Sequence, residues 1–202
     1  MGLVKSTTIV LSVFVFLGFL LISGLFFAVE GGVIDLSSEP QSEGPTNTTG
    51  VPEVNASYHP HVDGEALEIA IYEEVNDRRE ASGAELFVHS ERVRLIARLH
   101  SKDMAERDFF DHTNPDGQGS SDRHEEFDGC DSTNENIYMW KPMRYFNTDY
   151  VAERVVNSWA DSSGHNTTMM SDYPTVTGVG VHVTEEGDLY VTQNFCREHP
   201  NV

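Results

Sequence analysis

Basic side chains are scarce in this 202-residue chain: it has 13 Lys and Arg against 33 Asp and Glu, for a formal charge of −20. A surface so poor in cations cannot neutralise a phosphate backbone, which excludes nucleic acid as a partner. The excess acid reads instead as a surface adapted for solubility in high salt, where screening removes self-repulsion, and it points to a halophilic source. Cysteine is also rare, with only Cys130 and Cys196. An even pair in an extracellular context predicts one disulfide, worth around 4 kcal/mol by loop entropy. A catalytic thiol needs an electropositive setting, and Cys130 lies between Asp128 and Asp131. No Gly-x-Ser-x-Gly elbow accompanies Ser162, Ser163 and His165, so a serine hydrolase lacks its structural signature.

What the first sixty residues do contain is apolar. From Thr7 to Val29 every residue is apolar, Gly, Ser or Thr. About 34 Å of helix would result, enough to cross a hydrocarbon core, and the run is too long for an ordinary signal-peptide core. Lys5, the only basic residue in those sixty, precedes it and predicts a cytoplasmic N-terminus with the rest outside. Residues 1–29 are therefore expected to form a single-pass signal anchor in the cell membrane, the membrane being met through residues 7–29. Cleavage near Ser23-Gly24 or Ala28 would give a secreted product. Residues 30–62 follow as an acidic spacer with little to bury. Two glycosylation sequons begin there at Asn47 and Asn55, and a third begins at Asn166.

Residues 63–202 carry the patterning of a folded domain. Gly64 to Ala81 places Leu67, Ile71 and Val75 at helical spacing before Ser82-Gly83, and a second helix is expected from Ser90 to about Arg107. Asn114-Pro115-Asp116-Gly117 is turn chemistry, Glu135 to Trp140 alternates as a strand, and Asp149 to Ala160 repeats helically. Thr175 to Thr184 and Leu189 to Phe195 read as an antiparallel hairpin about Glu186-Gly187-Asp188. Helices beside a small antiparallel sheet make an α+β domain, here preceded by a transmembrane helix.

Phe109-Phe110-Asp111-His112-Thr113, Asn134-Glu135-Asn136-Ile137 and Ser163-Gly164-His165-Asn166 each set one metal-capable side chain among turn formers. Two imidazoles and a carboxylate can bind a divalent cation such as zinc, move protons, or tie loops together by hydrogen bonds. His59 and His61 read as solvated linker. Trp140, Met143, Tyr145 and Phe146 form an aromatic insertion suited to loop packing.

These segments also carry a family resemblance. Val75-Asn76-Asp77-Arg78-Arg79, the run His100 to Gly117, Asn134 to Ile137, Val155 to Trp159, Ser163 to Asn166, Gly178 to Val181 and Tyr190 to Phe195 stand in the order of the CAP superfamily. The stretch from Glu65 to Cys196 resembles its compact prokaryotic SCP-domain form. The resemblance implies a three-layer α-β-α sandwich, and a central cleft lined by two His and two acidic residues, three of them matching His112, Glu135 and His165. The fourth place, three residues after Trp159, holds Ser162, with Asp161 or Glu153 as the substitutes to examine. Family members are known more for ligand binding, including sterols and fatty acids, and for extracellular signalling or defence than for a common reaction. A ligand-binding or interaction module facing outward, with an unknown lipid, protein or other ligand, is the expected function. The alternative is a metal-dependent extracellular hydrolase with Glu135 as general base and both His as ligands. A purely structural role for the cluster is the third.

Overall fold

A computed structural model describes residues 49–55, 58–60, 62–127, 130, 133–142 and 147–197. The expected anchor at 7–29, the sequon at Asn47, His61, Met143, Tyr145 and Phe146 lie outside them. Among the described residues no helix is long and apolar enough to cross a membrane.

A two-residue ladder, β1 (Tyr58–His59) against β2 (Val62–Asp63), leads into α1 (Gly64–Ser82). Asp63 starts that helix by accepting from the amides of Glu65 and Ala66, and Gly83, at φ 78°, ends it in the left-handed region that glycine adopts freely. There follow β3 (Val88–His89), α2 (Glu91–Glu106), α3 (Ser120–Glu125), β4 (Thr133–Trp140), α4 (Thr148–Asp161), α5 (Ser163–Met169), β5 (Val176–Val183) and β6 (Leu189–Cys196). The four-stranded sheet runs β3-β5-β6-β4. Its three long strands are antiparallel, as the alternation predicted, but β3 pairs parallel to β5. The sheet is therefore mixed, which corrects the antiparallel expectation. A strand of two exposed residues carries no alternation by which it could be read.

Strand pleating separates two faces. Val179, Val181, Val183, Leu189, Val191 and Phe195 join Leu67, Ile71 and Val75 of α1, Val155, Val156 and Trp159 of α4, and Met169 of α5 in the main core. The even-numbered positions of β5 and β6 turn toward α2. Gly178 and Gly180 let that helix lie directly on β5: a Cβ built on Gly180 would stand 2.0 Å from the Arg98 backbone nitrogen. The Gly-Val-Gly-Val run thus serves helix packing on one face and the apolar core on the other.

Buried ion pairs lock these layers. Glu68 of α1, 2% exposed, takes two hydrogen bonds of 2.6 Å from Arg98 and one of 3.0 Å from Arg94, both on α2, and also accepts from the Val181 amide of β5. Arg98 reaches further and donates to the Val54 carbonyl at 2.9 Å. Beside it Val51 is buried against Leu95 and Ile96, so residues 51–54 lie strapped across α2. Arg79, fully buried, donates to the carbonyls of Glu85, Met169 and Ser171 and covers the Phe87 ring at 3.7 Å. Together with Asn76, which bonds both backbone groups of Phe87, it gives the Asn-Asp-Arg-Arg stretch a structural role.

Candidate functional site

His112 sits in the loop after α2. Asn114 holds that loop as an Asx turn, its side-chain oxygen accepting from the Asp116 and Gln118 amides. Glu135 lies on β4, on the face turned to α2, because its cross-strand partner is Asn194 of β6. Loop and strand meet: His112 Nδ1 is 2.9 Å from Glu135 Oε1. The second carboxylate oxygen accepts from Arg123 Nη2 at 2.7 Å. The same guanidinium donates to the His112 carbonyl from both terminal nitrogens, at 3.2 Å each, and to the Gln118 carbonyl at 3.0 Å. Arg123 therefore fixes Glu135 and the His112 backbone in one grip, and Glu135 fixes the His112 ring.

Burial sharpens the asymmetry. The Glu135 side chain is 2% exposed and the Arg123 side chain 7%, while the His112 side chain is 51% exposed. With Nδ1 donating inward, His112 Nε2 faces outward with no protein partner among the described residues. The hydrogen bond to Glu135 raises the His112 pKa against the opposing effect of burial, and the Glu135 charge adds to the rise. Glu135 itself stays below the usual carboxylate range: burial pushes it up, but His112, His100 and Arg123 outweigh that.

His165 lies in α5, and its backbone carbonyl accepts from the Asn136 side chain at 3.2 Å. Its pKa is lowered, first by burial and then by the charge of His112. The two imidazoles are thus electrostatically coupled and tuned in opposite directions, His112 toward the donor form and His165 toward the acceptor form. No direct bond joins the His165 ring to Glu135.

This geometry decides the carboxylate's role. Among the described residues no three His, Cys, Asp or Glu side chains are grouped so as to hold a metal ion. Glu135 supports His112 from behind with its charge already met by Arg123, and it makes no hydrogen bond to the His165 ring. Nor do the substitutes for the fourth acid arrive. Ser162 forms the junction between α4 and α5, its amide donating to the Trp159 carbonyl. Asp161 and Glu153 line a separate groove of about 420 Å³ with Tyr138 and Arg154. Trp140 ends β4, paired with Leu189, and lies under Arg154 at 4.4 Å.

Sequence reasoning missed Arg123, His100 and His124. His100, 1% exposed on α2, approaches Glu135 at 3.7 Å and bonds the Asp111 carbonyl at 3.0 Å. His124, fully buried on α3, lies 3.3 Å from Cys130 Sγ. The one available signal was Asp122 three residues after Gly119, a helix start in which the Asp side chain accepts from the Gly119 amide at 2.7 Å. Cys130 and Cys196 are joined as predicted, with Cα atoms 5.7 Å apart across a separation of 66 residues.

The model of the CAP, cysteine-rich secretory protein family matches residues 72–195. The uncharacterized protein YkwD of Bacillus subtilis (strain 168) is 28% identical over 131 residues, covering 64% of this chain and 47% of that protein. An extracellular protein containing a SCP domain from Bacillus anthracis str. Ames is 27% identical with a TM-score of 0.56, covering 66% of this chain and 41% of the other. An outer surface protein from Borrelia burgdorferi has a TM-score of 0.58 at 18% identity, covering 67% of this chain and 94% of the other, a likeness of fold alone. This chain thus spans less than half the length of the two Bacillus proteins it matches.

Proposed function

The chain belongs to the CAP family of cysteine-rich secretory proteins, and from that membership we propose that it is an outward-facing ligand-binding module whose ligand meets His112 and His165. The observation that carries this reading is the His112–Glu135–Arg123 grip, at 2.9 and 2.7 Å, which presents one ring nitrogen to solvent. A carboxylate-oriented imidazole of fixed tautomer is a preorganised hydrogen-bonding group, so less ordering entropy is lost when a ligand binds. Below its raised pKa the charged His112 ring donates from Nε2 as well, and with the neutral His165 as acceptor the pair suits a ligand that both accepts and donates, such as a carboxylic lipid head or a peptide group.

The location follows from the N-terminal residues. The apolar run at 7–29, Lys5 before it and the acidic spacer at 30–62 support a single-pass anchor with the domain outside the cell; cleavage would release it as a secreted protein. The hydrolase alternative needs Glu135 as an accessible base, and a carboxylate 2% exposed and bound to Arg123 is not one. The test is NMR of the full chain with histidine rings labelled, titrated with decanoate, an N-acetylated tripeptide and inorganic phosphate. A binder should move both the His112 and His165 ring signals and lose its effect in the His112→Ala/His165→Ala double variant. Binders that leave both rings unmoved would overturn the cleft assignment.

A further inference from the structure

The groove along α4 contains neither His112 nor His165, and the ligand-binding reading does not use it. Tyr150, Glu153, Arg154, Asn157 and Asp161 recur at helical spacing on the face of α4 opposite its buried Val151, Val155, Val156 and Trp159, and with Tyr138 of β4 they line a space of about 420 Å³. That volume lies within the ~300–1,000 Å³ of small-molecule sites. The five α4 side chains are exposed, and the Tyr150 ring is among the few large apolar groups left so, at 42%.

Two donors in the groove are held from outside it. The Arg154 guanidinium lies over the Trp140 ring at 4.4 Å, and hydrogen bonding to Tyr138 raises its pKa, so β4 steadies a cation carried by α4. Asn157 Oδ1 accepts from Arg78 Nη2 at 2.5 Å, and Arg78 is bonded in turn to Glu74, a turn earlier on α1, at 3.2 Å. With its oxygen engaged, the Asn157 amide offers its nitrogen to a ligand. Donors ordered in advance lose less entropy when a ligand arrives.

The lining selects the ligand. An anion would meet the Glu153 and Asp161 carboxylates, and a cation would meet Arg154. The lining holds no aliphatic side chain, so a lipid tail or the apolar side chains of a peptide would find only polar groups there, whose desolvation is costly. A neutral polyol suits all of it. Its hydroxyls donate to the two carboxylates and accept from Arg154 and Asn157, and its C–H face stacks on an aromatic ring, whose face is negative.

We propose that this groove binds a neutral sugar chain, with the Tyr150 ring as the stacking surface, Glu153 and Asp161 as acceptors, and Arg154 and Asn157 as donors. The site acts independently of the His112–His165 cleft.

Titration calorimetry of the full chain at fixed salt tests this, with maltotriose, cellotriose, N,N′,N″-triacetylchitotriose and a mannose-bearing glycopeptide as probes. At least one should bind and lose about tenfold or more in affinity in Tyr150→Ala and in Asp161→Asn, exposed substitutions that should leave the circular dichroism unchanged. The His112→Ala/His165→Ala double variant should bind the same sugar as the wild type does. Preference for the glycopeptide would mark the source as a chain displayed on a protein, and preference for a free trisaccharide would mark it as a soluble oligosaccharide; either supports the site. Four probes without heat of binding would overturn the proposal. So would a sugar whose affinity survives both groove variants, one that is lost in the cleft double variant, or one displaced by an N-acetylated tripeptide.

Discussion

Acid should unfold this domain through His124. The ring is fully buried on α3, and burial lowers its pKa to about 4, with the Glu135 charge opposing and that of Arg123 assisting. In the unfolded chain the same imidazole titrates near its ordinary 6.5. Between those values the unfolded state binds a proton that the folded state refuses, so stability rises with pH across the window. The contribution is complete above 6.5 and is lost as pH falls to about 4. A gap of about 2.5 pH units corresponds to roughly 3 kcal/mol, a large share of the ~5–15 kcal/mol that holds a domain together. His100 adds to the loss, because burial lowers its pKa too. Glu135 adds its own below the usual carboxylate range. His112 acts oppositely: its raised pKa gives stability that is full below 6.5 and lost as pH climbs through the raised value. Urea unfolding followed by circular dichroism, from about pH 7 to about pH 4.5 at constant salt, measures the slope. The wild type should lose up to ~1.4 kcal/mol per pH unit more than His124→Phe, which keeps the volume without the titration. Parallel profiles for the two proteins would refute the account.

Four other outcomes are expected. Glu135→Gln leaves the Arg123 guanidinium, 7% exposed, without its carboxylate, which should cost about 3–5 kcal/mol by chemical denaturation. NMR titration should show the His112 pKa falling in that variant, and an unmoved His112 would show that the pair does not hold. Gly180→Ala drives a Cβ to 2.0 Å from the α2 backbone and should exceed the ~1–3 kcal/mol of ordinary overpacking, whereas Gly164→Ala in α5, with open space around it, should be neutral or slightly stabilising. Replacing Cys130 and Cys196 together by Ser should lower stability by about 4 kcal/mol, read from the urea midpoint. Calorimetric zinc titration should give no more heat than the His112→Ala/His165→Ala double variant gives, because Glu135 is committed to Arg123; a tight wild-type site lost in the double variant would refute that.

Legibility in the sequence followed locality. Helices α1, α2 and α4 announce themselves by apolar spacing, with Ser90 before the first turn of α2, and the β5–β6 hairpin by Gly187, at φ 88°. The helix α3, Ser120–Glu125, has no apolar residue to give it a period, and β3 has only two residues, so neither shows a pattern. His112, Glu135 and His165 were identifiable as candidates because each sits among turn formers. The function of Glu135 was not identifiable, because it is set by Arg123, whose approach depends on where α3 lands. The same holds for Glu68, with partners 26 and 30 residues away on α2. A carboxylate's neighbours, and so the charges that balance it, are properties of the tertiary path.

The strap over α2 has a mechanical consequence. Tension entering the domain along the chain from residue 51 arrives first at Val51, in its pocket of Leu95 and Ile96, and at the Val54 carbonyl on Arg98. Arg98 passes the load to Glu68, which is bonded at the same time to α1, α2 and β5. These bonds would be sheared along their length by a pull on the strap, and load sharing across three elements is the arrangement that resists shear. A tug on the chain at residue 51 would therefore be taken up first by the helix and the sheet edge.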